Sequence, residues 1–465
     1  MKSVYYILIL PLMLSFTACK KFLDVKPKTQ VESDVAFEDE KGYQQALTGI
    51  YVKLTGKSLY GKELSFGMLD VLGRQYNSIT GVYTNFDSYN YQLDTAKTRI
   101  AAIWKQMYNG VANANNLLAN LDRTDRPQFT GVNYNVIKGE ALGLRAFIHF
   151  DLLRLYAPAP ASNGGMDALA IPYVTKFGAE NVARGNVRSV IGNVLADLNA
   201  AAELLKTSDP IVAGNPAATN YLRDRYYKFN YYAVKALQAR VYLYAGDKPN
   251  ARACAEEVIN SNAFPFASSA TITSGQNKIF LSELIFSLNM NDLHTYATGY
   301  FGNETQNLAK RYDDARADFD LTLSDYRYTI LTSNTAGNVL TYSNKYLAGA
   351  SSPLGYLYKM PVIRVSEMYY IASECLIQSN KTKSLEYLNA VRHARNLSAD
   401  VPASVSDAEL QNQIFREYRR EFLAEGQLFY YYKRLNASSI EYTAVTPNNS
   451  VYVLPLPEDE LKYGN

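Results

Sequence analysis

Residues that carry redox, metal or disulfide chemistry are scarce, since the 465 residues include only three Cys, three His and one Trp. One cysteine, Cys19, belongs to an N-terminal processing signal described below. The other two, Cys254 and Cys375, lie in helical patterns, where a buried thiol behaves as a small hydrophobic side chain. The fold must therefore be stabilised by its core and not by disulfides. We predict no metal and no cofactor.

An excess of charge of one sign is also lacking. The net charge is +3, and no run of like charges exceeds a few residues. A nucleic-acid-binding surface needs concentrated basic residues, so this composition argues against a nucleic-acid partner. After residue 16, no stretch is apolar enough to span a bilayer. The chain is long enough to bury a large core.

The first residues have the pattern of an export signal. Lys2 provides a basic start, and the apolar residues 4–16 would form a helix roughly 20 Å long, short of a hydrocarbon core of about 30 Å. Residues 1–18 are therefore predicted to be a signal peptide. Its end, FTAC at 16–19, resembles the lipobox of bacterial lipoproteins, whose thiol receives acyl chains. We expect a lipid anchor on Cys19; the alternative is an ordinary secretory signal with an incidental cysteine.

Helical periodicity dominates the rest of the chain. Apolar residues recur at helical spacing over 99–121, 133–156, 187–205 and 407–435, which predicts four long helices. Residues 230–260 and 366–396 each predict two helices joined by a short turn. Between the helices lie long irregular stretches rich in Tyr, Asn, Asp, Ser, Thr and Gly. Loops this long are usually functional. They span 56–94, 157–186, 261–276 and 293–352.

The two helical hairpins are similar to each other. In the first, Gly246 ends one helix, Asp247 caps the next, and Pro249 lies in its opening turn. A displacement of 133 residues places Ala239 on Ala372, so small residues occupy the helix crossing in both. Units of about 30 residues with this pattern look like tetratricopeptide repeats. Chance similarity between two amphipathic hairpins is the alternative.

Motifs for catalysis are weak. His149, His294 and His393 are widely spaced and form no zinc-protease or nucleophile-elbow pattern, and His149 and His393 are predicted to be structural. The segment 56–58 (GKS) resembles the end of a P-loop, but Tyr51 stands where that loop requires Gly.

Acidic residues near 313–318 have two interpretations. Asp313, Asp314 and Asp318 have the composition of a carboxylate pair or a calcium site. Arg311 and Arg316 beside them favour a solvated charged face. Four further charged residues are predicted to be buried structural partners: Glu140, Arg145, Arg240 and Glu421.

Tyrosine is abundant, with 39 Tyr against 19 Phe. A tyrosine presents a large ring and a polar hydroxyl, so it suits the recognition of sugars, whose C–H faces stack on rings and whose hydroxyls need polar partners. Two loops combine both features. The predicted ligand-binding residues are Arg74, Tyr83, Phe86, Asp87, Tyr89, Asn90, Tyr296, Tyr300 and Phe301. The alternative is that these rings only pack the loops on the scaffold, as we expect for Trp104 on its helix face.

Several segments, taken in order, resemble the SusD/RagB family of nutrient-uptake lipoproteins. No segment is specific alone, but their number and order identify the chain as a member of that family. They are Trp104 with 108–115 (YNGVANAN), 139–147 (GEALGLRAF), 235–244 (KALQARVYLY) with Gly246-Asp247, 282–287 (SELIFS), 361–369 (PVIRVSEMY), 419–422 (RREF) and 454–457 (LPLP).

The resemblance implies a mainly helical fold: a single domain over 19–465 on a tetratricopeptide-like scaffold, with long loops forming a ligand face. It also implies a lipoprotein of the outer membrane, facing the cell surface. Such a protein binds a glycan or another oligomeric nutrient without cleaving it. It then delivers the ligand to a TonB-dependent transporter.

Three other functions remain open at this point. A peptide-binding lipoprotein would use the same scaffold with a different ligand. A structural assembly lipoprotein would use the helical hairpins to hold another protein. A glycoside hydrolase would need two carboxylates about 5–10 Å apart, which the sequence alone does not locate.

Overall fold

The computed structural model describes residues 36–124, 126–178, 180–216, 219–302, 307–321, 324–347 and 358–464. The predicted signal peptide and Cys19 lie outside the described residues. Within them, no helix combines the length and apolar character needed to cross a membrane.

The described residues form helices joined by short strands. The helices are α1 Glu40–Leu54, α2 Met68–Leu72, α3 Thr84–Asp87, α4 Asp94–Leu121, α5 Asn133–Tyr156, α6 Val187–Lys206, α7 Tyr231–Ala245, α8 Lys248–Asn260, α9 Ser269–Thr273, α10 Leu293–Thr298, α11 Tyr312–Asp318, α12 Tyr326–Thr329, α13 Val365–Leu376, α14 Lys381–Ala394, α15 Asp407–Glu421, α16 Leu428–Arg434, α17 Asn449–Tyr452 and α18 Glu458–Tyr463. The strands are β1 Ser78–Ile79, β2 Leu169–Pro172, β3 Arg184–Asn186, β4 Leu284–Asn289, β5 Leu308–Arg311, β6 Thr332–Asn334, β7 Leu340–Ser343 and β8 Lys359–Arg364. The predicted mainly helical fold class is confirmed.

The long helices pack in chain order. Helix α4 packs on α5, α5 on α6, α6 on α7 and α7 on α8, and α8 then contacts α13, which packs on α14. Helix α5 is buried on nearly every side. Its Gly143 lies against the ring of Phe229 and its Gly139 against Leu205, where any side chain would collide with the neighbour. One hydrophobic core runs from Tyr43 to Leu454.

Both predicted hairpins are present. The Asn230 side chain accepts a hydrogen bond from the backbone N–H of Ala233 at the start of α7. Gly246 ends that helix with φ of 85°, and Asp247 caps α8. Because α8 also packs on α13, the two hairpins form one layered unit. Their relationship to tetratricopeptide repeats remains a prediction.

The prediction of one helix over 407–435 is wrong. Helix α15 ends at Glu421, and Ala424 and Gly426 both have a left-handed backbone, with φ of 67° and 71°. The buried Asp70 carboxylate accepts hydrogen bonds from the backbone N–H groups of both residues, at 2.6 and 2.9 Å. These bonds replace helical ones, so the chain turns before α16 begins.

Stretches predicted to be irregular contain short strands. Strands β1, β5, β7 and β6 form a four-stranded sheet in that order, antiparallel at each pairing. This sheet joins residues 78–79 to the region 308–343. Two-stranded antiparallel ladders join β2 to β3 and β4 to β8. The sequence-distant loops are thereby fixed to one another.

The four charged residues predicted to be buried partners have that role. Arg145 pairs with Asp197, Arg240 with Glu367, and Glu140 with Arg225. Glu421 lies at the centre of a buried ion network, where it accepts from three arginines. The network includes Arg327, Arg364, Arg392, Arg395, Arg420, Lys345, Asp325, Glu283, Glu417, Glu421 and Glu425.

Candidate functional site

The two aromatic loops that the sequence singles out lie together. The Tyr83 ring lies between the rings of Phe86, 6.3 Å away, and Tyr300, 5.7 Å away. Phe301 packs on Phe66 at 5.5 Å. The pairing of β1 with β5 holds the backbones of these loops in register, because residues 78–79 precede one loop and 308–309 follow the other.

Five of the nine predicted ligand-binding side chains are buried at this joint. They are Arg74, Tyr83, Phe86, Tyr89 and Phe301. Tyr83 has 0% of its surface exposed, and Phe86 has 1%. A ring enclosed by protein cannot also stack on a sugar, so in this conformation these side chains position the loops. The packing role considered as the alternative applies to them.

Arg74 and Tyr89 show how the first loop is fixed. Both have a left-handed backbone, with φ of 58° and 54°. The Tyr89 hydroxyl donates to the carbonyl of Leu72 at 2.9 Å. The Arg74 guanidinium pairs with Asp87 and lies 5.5 Å from the centre of the Tyr89 ring. These contacts hold an unfavourable backbone shape in place.

The other four predicted residues are accessible, and we call them the loop surface: Asp87, Asn90, Tyr296 and Tyr300. Asn90 is exposed, the Asp87 side chain is 41% exposed, and both tyrosines are half-buried. The Lys57 ammonium lies 4.4 Å from the centre of the Tyr296 ring. Such an arrangement offers one ring face with a cation above it and polar groups nearby.

Beneath the loop surface, one buried carboxylate pairs with two cations and a tyrosine hydroxyl. The buried Glu63 carboxylate accepts from the Arg99 guanidinium at 2.7 Å, from Lys62 Nζ at 3.0 Å and from the Tyr83 hydroxyl at 3.0 Å. Burial, with the Glu63 charge beside it, raises the pKa of Tyr83 well above its usual value, so its hydroxyl stays protonated and donates. Lys62 Nζ also donates to the Tyr300 hydroxyl at 3.2 Å, which orients that ring.

A second aromatic surface was missed by the sequence reasoning. Its cleft, of about 520 Å³, lies between α4, residues 172–182 and the segment 457–464. Trp104 and Tyr108, with ring centroids 4.8 Å apart, lie at its base, and the 63% exposed Tyr463 lies at its edge. Trp104 itself is core, as predicted, with 7% exposed. The spacing of Trp104 and Tyr108, which places both rings on one helix face, was the sequence signal for this surface. The opposite wall comes from segments distant in sequence, so the cleft itself was not predicted.

The histidines of the described region have structural partners. His149 is buried, stacks on Tyr173 at 4.0 Å, and lies 2.9 Å from the carbonyl of Arg145. Burial lowers the pKa of His149 to about 4, so it is neutral at neutral pH. His294 contacts the carbonyl of Tyr346, and His393 contacts Asp400. Among described residues no group of three or more His, Cys, Asp or Glu is arranged for a metal.

For Asp318, the prediction of a solvated charged face is wrong. Its side chain is 8% exposed rather than part of a solvated face. It pairs with the buried Lys310, and it accepts from the Tyr442 hydroxyl at 2.6 Å. Burial alone would raise the pKa of Asp318, but the charges of Lys310 and Arg419 lower it below its usual value. Asp314, by contrast, accepts from Asn77 at 2.7 Å near the surface.

Solved structures with the same fold cover nearly all of the chain. A SusD superfamily protein from Bacteroides thetaiotaomicron VPI-5482 matches with a TM-score of 0.73 and 22% identity over 92% of this chain and 98% of that one. A SusD-like carbohydrate binding protein from Bacteroides vulgatus ATCC 8482 matches with a TM-score of 0.72 and 19% identity over 91% and 96%. At these identities the likeness shows the fold.

Sequence comparisons point to the same family. SusD-like protein P25 from Formosa agariphila is 25% identical over 157 residues, which is 32% of this chain and 29% of that protein. One family model, described as starch-binding and associating with the outer membrane, matches residues 21–243. The model of the SusD family matches residues 289–464. With both parts of the sequence matched and the fold shared, the chain belongs to the SusD/RagB family.

Proposed function

We propose that this protein is a non-catalytic outer-membrane lipoprotein that binds an oligosaccharide and delivers it to a partner TonB-dependent transporter. The observation that carries the proposal is the meeting of two sequence-distant loops at Tyr83 and Tyr300. That joint leaves the loop surface accessible, and its tyrosines, amide and carboxylate are the groups that sugar recognition uses. The carbohydrate-binding relative and the starch-binding family description support the same ligand class.

A binding role fits the local charges better than hydrolysis does. Glycosidases use one carboxylic acid and one carboxylate on either side of the scissile bond. Near the loop surface, Glu63 is buried and ion-paired with Arg99, and Asp87 is paired with Arg74. Both carboxylates are therefore engaged in ion pairs with arginines, and neither stands free beside the loop surface as a glycosidase carboxylate would.

Binding should be measured on glycan and peptide arrays, followed by calorimetry on the ligand found. We expect a glycan to bind, and we expect Tyr300→Ala and Tyr296→Ala each to weaken its binding about fivefold or more, since loss of a stacking contact costs about 1–3 kcal/mol. Tyr226→Ala is the matched control, because Tyr226 is 44% exposed and packs on Phe264, away from both loops. Accumulation of a cleavage product when the purified protein is incubated with its ligand would contradict the non-catalytic proposal.

The cleft at Trp104 provides the competing location for the same function. Tyr463→Ala would weaken binding there while leaving the loop surface intact. A loss of affinity in Tyr463→Ala with none in the Tyr296 and Tyr300 variants would move the site to the cleft. Binding of peptides alone would favour the peptide-binding alternative.

The partner can be tested separately. We expect a TonB-dependent transporter to be recovered with the lipoprotein from detergent-solubilised outer membranes. The same preparation with a folded, binding-defective Tyr300→Ala variant tests whether this contact depends on ligand binding, and recovery of the transporter with that variant would show that it does not. Failure to recover a transporter with either the wild-type protein or the Tyr300→Ala variant would contradict the proposed delivery step.

A further inference from the structure

A small internal cavity lies where five helices meet. Its volume is about 30 Å³, and its lining comes from α5, α7, α13, α15 and α16 with the residue before α16. About 10–15 Å³ is enough for one water molecule, so this cavity can hold roughly two waters or one small ion. The cavity lies inside the scaffold, away from the loop surface and from the cleft at Trp104.

Three hydrogen-bond donors in this cavity lack partners among the described residues. They are Arg240 Nη1, the Tyr244 hydroxyl and the Tyr430 hydroxyl. Their residues are 5%, 4% and 4% exposed. Nε of Arg240 donates to Glu367 at 2.6 Å and Nη2 donates at 2.5 Å, so Nη1 points away from that carboxylate. Buried donors are almost always satisfied, which indicates an acceptor in the cavity.

The cavity is surrounded by basic side chains. Three arginines line it and each pairs with one carboxylate: Arg154 with Asp151, Arg240 with Glu367, and Arg434 with Glu374. A further basic side chain, Lys433, is 0% exposed and donates to the carbonyl of Arg154 at 2.5 Å. Among the described residues it has no carboxylate partner. Burial, with the Arg154 charge beside it, holds the pKa of Lys433 well below its usual value, and an anion nearby would favour the protonated form of this side chain.

We propose that this cavity binds a monovalent inorganic anion of the size of chloride. Such an ion only accepts hydrogen bonds and so matches the unpartnered donors, whereas a water molecule must also donate. Its negative charge would also favour the protonated form of Lys433. Its route from solvent is a groove of about 310 Å³ that shares Leu243, Tyr244 and Arg434 with the cavity. The ion would connect the helices of both hairpins, so its role is to stabilise the scaffold.

The test compares melting temperatures in sodium chloride and in sodium gluconate at equal ionic strength, because gluconate is too large for the cavity. We expect a higher melting temperature in chloride, by about 2 °C or more when chloride is in large excess over its dissociation constant. Tyr430→Phe and Tyr244→Phe keep the rings but remove the donors. Each should abolish most of the difference between the two salts.

The control is Tyr452→Phe, since the buried Tyr452 hydroxyl donates to the carbonyl of Ala437 at 2.8 Å and should matter equally in both salts. Equal destabilisation by Tyr430→Phe in both salts would mean that water fills the cavity, and this overturns the proposal. A variant that melts higher in both salts would mean that nothing satisfies the donor, with the same consequence. Crystals grown in bromide should show an anomalous peak beside Arg240 Nη1, and its absence also overturns the proposal.

Discussion

The ring of Tyr83 lies 5.7 Å from the ring of Tyr300, and only the second of these rings reaches solvent. One tyrosine therefore holds the loops together while its neighbour remains available to a ligand. Variants of the two tyrosines can distinguish loss of folding from loss of ligand contact, which a binding assay alone does not distinguish. Loss of the buried ring should act through folding, whereas loss of the accessible ring should act on affinity.

Tyr83→Ala should lower the free energy of unfolding by roughly 3 kcal/mol or more, because it removes a fully buried ring and leaves a cavity. Tyr83→Phe removes only the hydrogen bond to Glu63 and should cost about 1 kcal/mol. Tyr300→Ala should cost less than Tyr83→Ala, since its ring is half-buried. Chemical denaturation measures all three. Equal stability of Tyr83→Ala and the wild-type protein would show that the joint does not hold the loops.

Gly426→Ala should destabilise the protein. A Cβ at this position would lie 2.6 Å from the carbonyl oxygen of Leu64, and φ is 71°. Gly49→Ala provides the opposite case, because Gly49 lies in α1 with nothing within 4 Å of the added carbon. That change should stabilise the protein by about 0.5–1 kcal/mol, since Ala loses less backbone entropy in a helix. Thermal melting of both variants checks the contrast in sign.

Ala239→Leu and Ala372→Leu should each cost roughly 1–3 kcal/mol by overpacking a helix crossing. Both alanines are 0% exposed. Ala200→Leu is the matched control, since Ala200 is an exposed position of α6. Unchanged melting temperatures in the two buried variants would contradict the close packing of the hairpins.

The ion network predicts loss of stability in acid. Burial alone would raise the pKa of Glu417, but Arg327 and Arg420 lower it from 4.5 to about 2. Because the folded-state pKa lies below the unfolded value, this carboxylate contributes stability above about pH 4.5 that is lost as the pH falls towards 2.

Glu417→Gln should therefore cost roughly 3–5 kcal/mol at neutral pH, because it leaves buried arginines without their partner. It should also flatten the decline of stability with falling pH. Glu386→Gln is the control. Glu386 and its partner Lys383 are both about half exposed, so the effect of this change on stability should be small. Urea denaturation from pH 7 to pH 3 distinguishes the two variants. An identical pH profile in Glu417→Gln would exclude this carboxylate as a source of acid sensitivity.

Cys19→Ala should abolish labelling by a fatty-acid probe and release the protein from the membrane fraction, since more than one acyl chain is needed for stable anchoring. Cys254→Ala is the control, because Cys254 is buried in α8 and is inaccessible to lipidation. Persistent labelling of the Cys19 variant would refute the proposed anchor.

The helices were predictable where local patterns decide the structure. Residues 133–156 form a helix with the predicted ends, and Asn230, Gly246 and Asp247 place the ends of the first hairpin. The break after Glu421 was not predictable, because it depends on Asp70, which lies about 350 positions away and accepts from Ala424 and Gly426. The local pattern of apolar residues does not reveal a contact between residues so far apart in sequence.

For the candidate site, the sequence predicted which loops to consider but not which of their side chains are accessible. Aromatic and polar composition located the regions of Tyr83 and Tyr300, which do meet. Composition cannot tell which rings face inward, because a tyrosine that packs a loop and one that faces a ligand look alike in sequence. The cleft beside Trp104 was missed for a related reason, since its walls come from three distant segments.

The contacts of the C-terminal segment have a consequence for synthesis. The backbone N–H of Leu454 donates to the carbonyl of Leu155, and the Tyr91 hydroxyl donates to the carbonyl of Val451. Lys433 likewise reaches the carbonyl of Arg154. A growing chain cannot make these long-range contacts until residue 454 has emerged, and pairings of such high sequence separation form slowly. The nascent chain should therefore stay incompletely folded until late, which would suit the export that the predicted signal peptide implies.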